Sequence, residues 1–417
     1  MFGRASLLLI LGFSTLFMVY TANMLTASTN TVDVYVAYYS SAVAEKIAQS
    51  GANLACASFF QSSGWSAGYS NISFQGGTIN VSISYLTGNI VQMTCTGAYN
   101  GYSKTIEIKL QPSNFAKFGN FYNNLSALPA TGDTLDGPIH FNDYCTTFGS
   151  PVFLGKVTCL NGLQKTGSPA NPKFLGGFES GVQVPLTLNS TTMTGSATGG
   201  VTLAGTTAKP YVDVDMTFNA DATVTYKTRI GTSVANATSA AWSAATTAAV
   251  STFAPNGVIL IKQGNVTMRG TVDGKVTVAA LANGAGTTVG NVFLDNSIVY
   301  KVDPRVDPTS NDMLGIVAEN KTEVTFNNSR GDINIMASIF NQNSGLSIAN
   351  YSSYTSISNM KIFGGITGND ILPTAVYSGT TPTKGYRFVH KYDTRFMNSI
   401  PPFFPMTGTY EVISWLE

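Results

Sequence analysis

The chain has 417 residues, 44 % of them hydrophobic and only 11 % charged, with a net charge of +1. That charged share is well below the roughly 25 % of ordinary soluble domains, yet the apolar content excludes a disordered polymer. The near-neutral balance lacks the basic footprint of a nucleic-acid binder. Gly, Ser, Thr and Asn fill the gap, which suits a β-rich secreted protein, and the length suggests two or three domains.

The first predicted element is one helix over residues 5–60. Arg4 precedes a run without charge until Asp33, longer than the ~20 apolar residues a membrane helix needs. The pattern then continues without proline through Phe60, with Gly51 its one glycine after Asp33. Such a helix would be roughly 80 Å long at 1.5 Å per residue, an object that filament subunits need and few soluble proteins do. Arg4 favours a cytoplasmic N-terminus. The competing reading is a cleaved secretory signal, with Thr26-Ala27-Ser28 as the best cleavage site. Gly12 either permits close helix approach or is a tolerated membrane glycine.

Residues 64–111 change period. Thr78 to Tyr85 alternates strictly, Ile90 to Cys95 follows after Gly88-Asn89, and Lys104 to Leu110 alternates again after Asn100-Gly101. Alternation broken by Gly/Asn turns predicts an antiparallel meander, able to pack on the C-terminal half of the helix. Pro112 to Asp136 is an aromatic-containing connection. Strands follow at Val152–Thr158 and in a hairpin of Tyr211–Phe218 with Thr223–Tyr226. From Gly257 the strands shorten and crowd, between Val258–Ile261 and Ile357–Phe363. Short apolar strands separated by Asn, Asp and Gly predict a parallel β-helix or other β-solenoid, with a β-sandwich as the alternative. The tail carries Pro401, Pro402 and Pro405, which exclude a regular central strand there. With Phe396, Phe403 and Phe404 it reads as an apolar strap along the solenoid, or, less simply, as a partner-binding segment.

The expected fold class is therefore α+β, mostly β. The expected divisions are the helix (1–62), the meander (63–112), a β-rich connection (113–256), the solenoid (257–372) and a C-terminal strap (373–417).

Cys56, Cys95, Cys145 and Cys159 make an even count behind an export signal, which suggests disulfides. Cys56–Cys95 and Cys145–Cys159 are favoured because each pair falls within one module. Four cysteines allow three connectivities, and buried free thiols are the alternative. No CxxC pair is present, which argues against zinc.

Catalytic signals are sparse. His140 and His390 have no partner at metal-ligand spacing, and there is no phosphate loop, GxSxG elbow or HExxH. Asp303 and Asp307 with Asp312 have the chemistry of a Ca²⁺ site, although Asp-Pro turns explain them more simply. Asp213 and Asp215 share one strand face and read as solvated. The 23 basic residues do not cluster, which argues against a polysaccharide lyase. Asn71, Asn189, Asn265 and Asn320 sit in Asn-x-Ser/Thr sequons that arise by chance in such a composition.

The uncharged N-terminal helix, a stem ending Ala44-Glu45-Lys46-Ile47-Ala48-Gln49-Ser50-Gly51-Ala52-Asn53-Leu54-Ala55, and the meander that follows resemble the type IV pilin superfamily, most of all its large minor-pilin and pseudopilin relatives. Cys95 to Ile106 is similar to their strand-turn-strand. Thr131 to Asp143, Gly149 to Val157, Tyr392-Asp393-Thr394-Arg395 and Pro401 to Pro405 are similar to large bacterial envelope proteins with a pilin-like start and a β-solenoid body. Pilins usually carry a Glu near the start of the apolar run, whereas no acid precedes Asp33 here, and only Met1-Phe2-Gly3 stands where a leader would be.

The resemblance implies a structural, non-enzymatic subunit of an extracellular filament, inserted in the inner membrane before assembly. Its implied partners are its own copies, other pilins and the assembly machinery, with no cofactor, metal or nucleic acid. The expected filament core is Leu7, Leu8, Leu9, Ile10, Leu11, Phe13, Leu16, Phe17, Met18 and Val19. Each such side chain contributes about 1.5–3 kcal/mol when buried against neighbours. The alternatives are a membrane-anchored or tip-located adhesin for glycans or surfaces, and a secreted carbohydrate-active enzyme.

Overall fold

A computed structural model describes residues 2–86, 90–379 and 381–417. The Gly88-Asn89 turn and Met1 lie outside the described residues. The chain forms two compact units, Met1–Ser113 with Thr409–Glu417, and Asn114–Gly408.

In the first unit a single helix, α1, runs Phe2–Gln61, about 90 Å at 1.5 Å per residue. Its second half is amphipathic. Ser40, Ala44, Ile47, Ala48, Ala52, Ala55 and Phe59 are buried, the three-and-four spacing that lines one helix face. That face lies on an antiparallel sheet of β1 (Tyr69–Phe74), β2 (Gly77–Tyr85), β3 (Val91–Tyr99) and β4 (Tyr102–Asn114). In β3 the alternation puts Val91, Met93 and Cys95 inward, opposite Leu110, Ile108 and Ile106 of β4. The small residues of the helix let it sit close. A Cβ on Gly51 would stand 2.7 Å from Ile79 Cγ2.

The second unit is built mainly from parallel ladders, with the expected hairpin of Tyr211–Phe218 and Thr223–Gly231 and the pair Ala375–Ser378 with Thr381–Lys391 running antiparallel. From Asn114 the chain lays down Asn120–Leu125, Ile139–Phe141, Val157–Cys159 and Phe178–Ser180, each parallel to the one before. It does not continue from there. The next strand, Val201–Ala204, pairs with Val258–Lys262. Lys275–Leu281, Met313–Ala318, Ile333–Asn341 and Ile357–Ile371 follow in order. The last of these pairs with Asn120–Leu125, so two parallel-paired segments join at a seam. One row of paired residues crosses everything: Val201, Ile259, Val278, Ile316, Ile339, Ile366, Asn120, Ile139, Val157 and Phe178. Parallel strands buried on their inner face favour such β-branched stacks. Thr381–Lys391 lies parallel to the first half of Ile357–Ile371.

Two expected divisions are corrected. Residues 113–256 and 257–372 are not separate, because Val201–Ala204 and Tyr211–Phe218 pair directly with Val258–Lys262 and Gly264–Val272. The tail is also divided. Phe396 and Phe404 are buried in the second unit beside Phe115, Phe121 and Phe340, while Phe403 stays exposed. After Pro405 the last strand, Met406–Leu416, leaves this packing and adds to the edge of the first sheet next to β4. Proline excludes a central strand but not an edge strand that begins beyond it.

Candidate functional site

The feature that needs a functional explanation is the first half of α1. Leu7, Leu8, Leu9, Ile10, Leu11, Phe13, Leu16, Phe17, Met18 and Val19 are each between 57 and 75 % exposed. Tyr20, Met24, Leu25, Val32, Val34, Tyr35 and Tyr38 prolong that surface. A soluble monomer rarely leaves so large a continuous apolar patch to water. The helix is long and apolar enough to cross a membrane, with no part of its most apolar stretch buried in the protein.

Five of its threonines are adapted to an apolar surrounding. Thr15, Thr21, Thr26, Thr29 and Thr31 each donate their hydroxyl to the carbonyl four residues back, those of Leu11, Phe17, Ala22, Leu25 and Ala27, at 2.7–3.1 Å. A hydroxyl returned to its own helix no longer needs water, which is the condition for placing it in lipid or in a helix bundle. The polar threonines were visible in the sequence, but their self-satisfaction was not.

The cysteines stand as free thiols, and the expected disulfides are absent from the structure. The favoured partners do lie near each other. Burial pushes the Cys95 thiol up to about 12, and Cys56 adds to it. Burial does the same for Cys145, again to about 12, with Cys159 adding.

Both histidines have both ring nitrogens against a partner. His140 is fully buried, with Nδ1 2.7 Å from Thr158 Oγ1 and Nε2 2.9 Å from Asn142 Oδ1. Burial lowers its pKa and the Asn142 contact partly offsets that. His390 is half-buried, with Nε2 3.1 Å from the Gly364 carbonyl and Nδ1 3.3 Å from Asn120 Nδ2. Desolvation pushes it down to about 4.

The acidic residues are engaged locally. Asp303 pairs with Arg305 at 2.6 Å, Asp307 caps the turn at Thr309, and Asp312 accepts from Gly274 N and Val302 N. Among the described residues, no three His, Cys, Asp or Glu side chains gather as a metal site. Asp213 and Asp215 are not merely solvated. Asp213 holds Arg229 at 2.6 Å; its pKa is raised by burial, against which Arg229 acts. Burial would raise Asp215 too, but Lys227 at 3.0 Å and Arg269 at 2.6 Å outweigh it and hold its carboxyl below the usual range.

No protein-family model matches this chain, and no curated protein does. Among solved structures it is similar to the competence-associated pilin ComZ from Thermus thermophilus, at 11 % identity and a TM-score of 0.37, over 91 % of this chain and 98 % of that one.

Proposed function

We propose that this chain is a structural, non-catalytic subunit of a type IV pilin-like extracellular filament. The observation that carries the reading is the division of α1. One half has a buried face fastened to a sheet, and the other exposes apolar residues on all sides. A helix that is apolar all round belongs in a membrane or inside a bundle of its own kind. Before assembly that half sits in the inner membrane. In the fibre it packs against the same half of neighbouring copies and other pilins, and the β-rich body faces outward. About ten large side chains at ~1.5–3 kcal/mol each, shared among several neighbours, exceed the cost of association. No acid stands near the start of the run, so packing alone sets the register. The body itself we read as a parallel β-helix, on the support of the parallel ladder that runs from Val258–Lys262 to Ile357–Ile371.

Electron cryo-microscopy of filaments sheared from producing cells, with mass spectrometry of the mature N-terminus, tests the proposal. The expected result is a helical fibre with Leu7 to Val19 bundled at its axis. A mature chain beginning after about Ala27, with no fibre, would reduce the helix to an export signal and sink the proposal.

A further inference from the structure

The second unit carries a cleft whose lining is neither core nor ordinary solvated surface. Strands Tyr211–Phe218, Gly264–Val272, Val292–Tyr300 and Thr322–Val324 run side by side, and their register aligns outward residues in rows. Asp213 stands beside Asn265, which lies one residue before the pair Val266 and Val292 and so beside Asn291. The next outward row is Asp215, Thr267, Phe293 and Glu323. Neighbouring strands are ~4.8 Å apart, so the rows form a polar floor with one aromatic ring set in it. Arg229 and the short helix Val234–Ser239 form one wall, and the Thr287-Thr288 loop lines the cleft as well. The open volume is about 550 Å³, within the ~300–1,000 Å³ of small-ligand sites.

The chemistry of the lining selects the ligand. Both cations are already matched, Arg229 to Asp213 at 2.6 Å and Lys321 to Glu323 at 2.8 Å. No uncompensated positive field remains for a phosphate or sulfate. What remains are the threonine hydroxyls, groups that exchange hydrogen bonds with sugar hydroxyls. The ring of Phe293, half-buried in the floor, offers a flat apolar surface to the C–H face of a pyranose. The amide of Asn291 is the independent sign. It is 3 % exposed, and its Nδ2 donates to Asn265 Oδ1 at 3.0 Å and to the Thr287 carbonyl at 3.3 Å. Its Oδ1 is buried with no partner. An unspent buried acceptor costs ~1–3 kcal/mol, and Asn291 is itself one of the residues that line the cleft.

We infer that this cleft binds a short, uncharged hexose chain, with Phe293 stacking on one sugar, the threonines reading its hydroxyls, and the paired amides of Asn265 and Asn291 fixing the floor beneath. This goes beyond the filament reading and stands without it.

The test is calorimetric titration of the full chain in an amine-oxide detergent, which has no sugar headgroup to compete. The probes are cellotriose, maltotriose and chitotriose, with inorganic phosphate and a sulfated trisaccharide as charged comparisons. At least one neutral trisaccharide is expected to bind. Phe293→Ala should weaken it by about tenfold, the factor that 1.4 kcal/mol makes, and Phe293→Tyr should retain it. Thr238→Tyr, placed on the exposed wall, should block binding while the unfolding midpoint stays that of the parent chain. This keeps the inference testable if Phe293→Ala misfolds. Failure of all three neutral sugars to bind, preference for either charged probe, or binding indifferent to Thr238→Tyr would each overturn the assignment.

Discussion

Asn120 is the one polar side chain in the row of ten that crosses the second unit, and its amide meets Nδ1 of His390 at 3.3 Å, where the two parallel-paired segments join. Tyr122 donates its hydroxyl to Asn120 Oδ1 at 3.1 Å, which leaves Nδ2 as the group facing the histidine. Nε2 of His390 lies against the Gly364 carbonyl, so the partners assign the proton to Nε2 and make Nδ1 an acceptor. The seam is thus held by a neutral imidazole. Protonation at Nδ1 would set donor against donor.

Acid should therefore loosen this unit. The folded pKa of His390 is depressed to about 4 by desolvation, with Gly364 and Asp136 acting weakly in the other direction, whereas an unfolded histidine titrates near ~6.5. The unfolded chain binds the proton first. The stabilisation is complete above pH ~6.5 and is lost as pH falls towards 4, at up to ~1.4 kcal/mol per pH unit. The lowered pKa of His140 acts in the same direction. Asp332, held at about 2 by Lys361 and Asn359, titrates below this window. Denaturant midpoints measured from pH 7.5 to 4.5 should fall with acid, and His390→Gln should flatten the slope. An unchanged slope in that variant would show that the seam does not sense pH.

Gly97 of β3 has no room for a side chain. A Cβ there would collide with the Ala44 carbonyl oxygen and the Ala48 amide, and would stand 2.9 Å from the carbonyl carbon of Ile47. The obstacle is helix backbone, which cannot turn aside as a flexible side chain can. Gly97→Val should destabilise the first unit by about 1–3 kcal/mol or more and raise hydrogen exchange in residues 44–55, leaving the second unit unaffected. Exchange unchanged in that stretch would contradict the close packing.

Much of the first unit was legible in the chain because each element has one period. The charge-free run before Asp33 and the alternation of Thr78 to Tyr85 leave little choice of element. In the second unit, the apolar strands after Gly257 were equally plain, since most of their inner residues are Val, Ile or Leu. The strands between Asn120 and Ser180 were largely missed. Several are two to four residues long and carry Thr, Gln and Lys, so they owe their existence to parallel neighbours and not to propensity. The seam was invisible because it depends on Ile366 meeting Asn120 across most of the unit's sequence. The cleft escaped notice for the same reason: Asn265 and Asn291 become neighbours only through register.

The cysteines offer a direct chemical check. The thiolate is the reactive form, and burial with thiols pushed up to about 12 leaves Cys95 and Cys145 almost wholly protonated at pH 8. Iodoacetamide should spare both in the folded protein and alkylate all four cysteines in denaturant without reductant. Alkylation that required reductant would instead establish disulfides, and peptide mapping would show whether they join Cys56 to Cys95 and Cys145 to Cys159.

The apolar half of α1 should be intolerant of charge in a way that ordinary exposed residues are not. Leu9 is 62 % exposed and Val306 is 83 % exposed, so burial within the chain would predict that lysine is harmless at both. If Leu9 faces lipid and then neighbouring helices, Leu9→Lys costs about 2.5–3.5 kcal/mol at a helix centre on insertion scales, and further in a fibre core where the ammonium has no partner. Val306→Lys should change neither membrane recovery nor filament yield. Leu9→Lys should reduce both, without moving the unfolding transition of the β-rich second unit. Equal behaviour of the two variants would mean that the helix works in water, and the filament reading would fall with it.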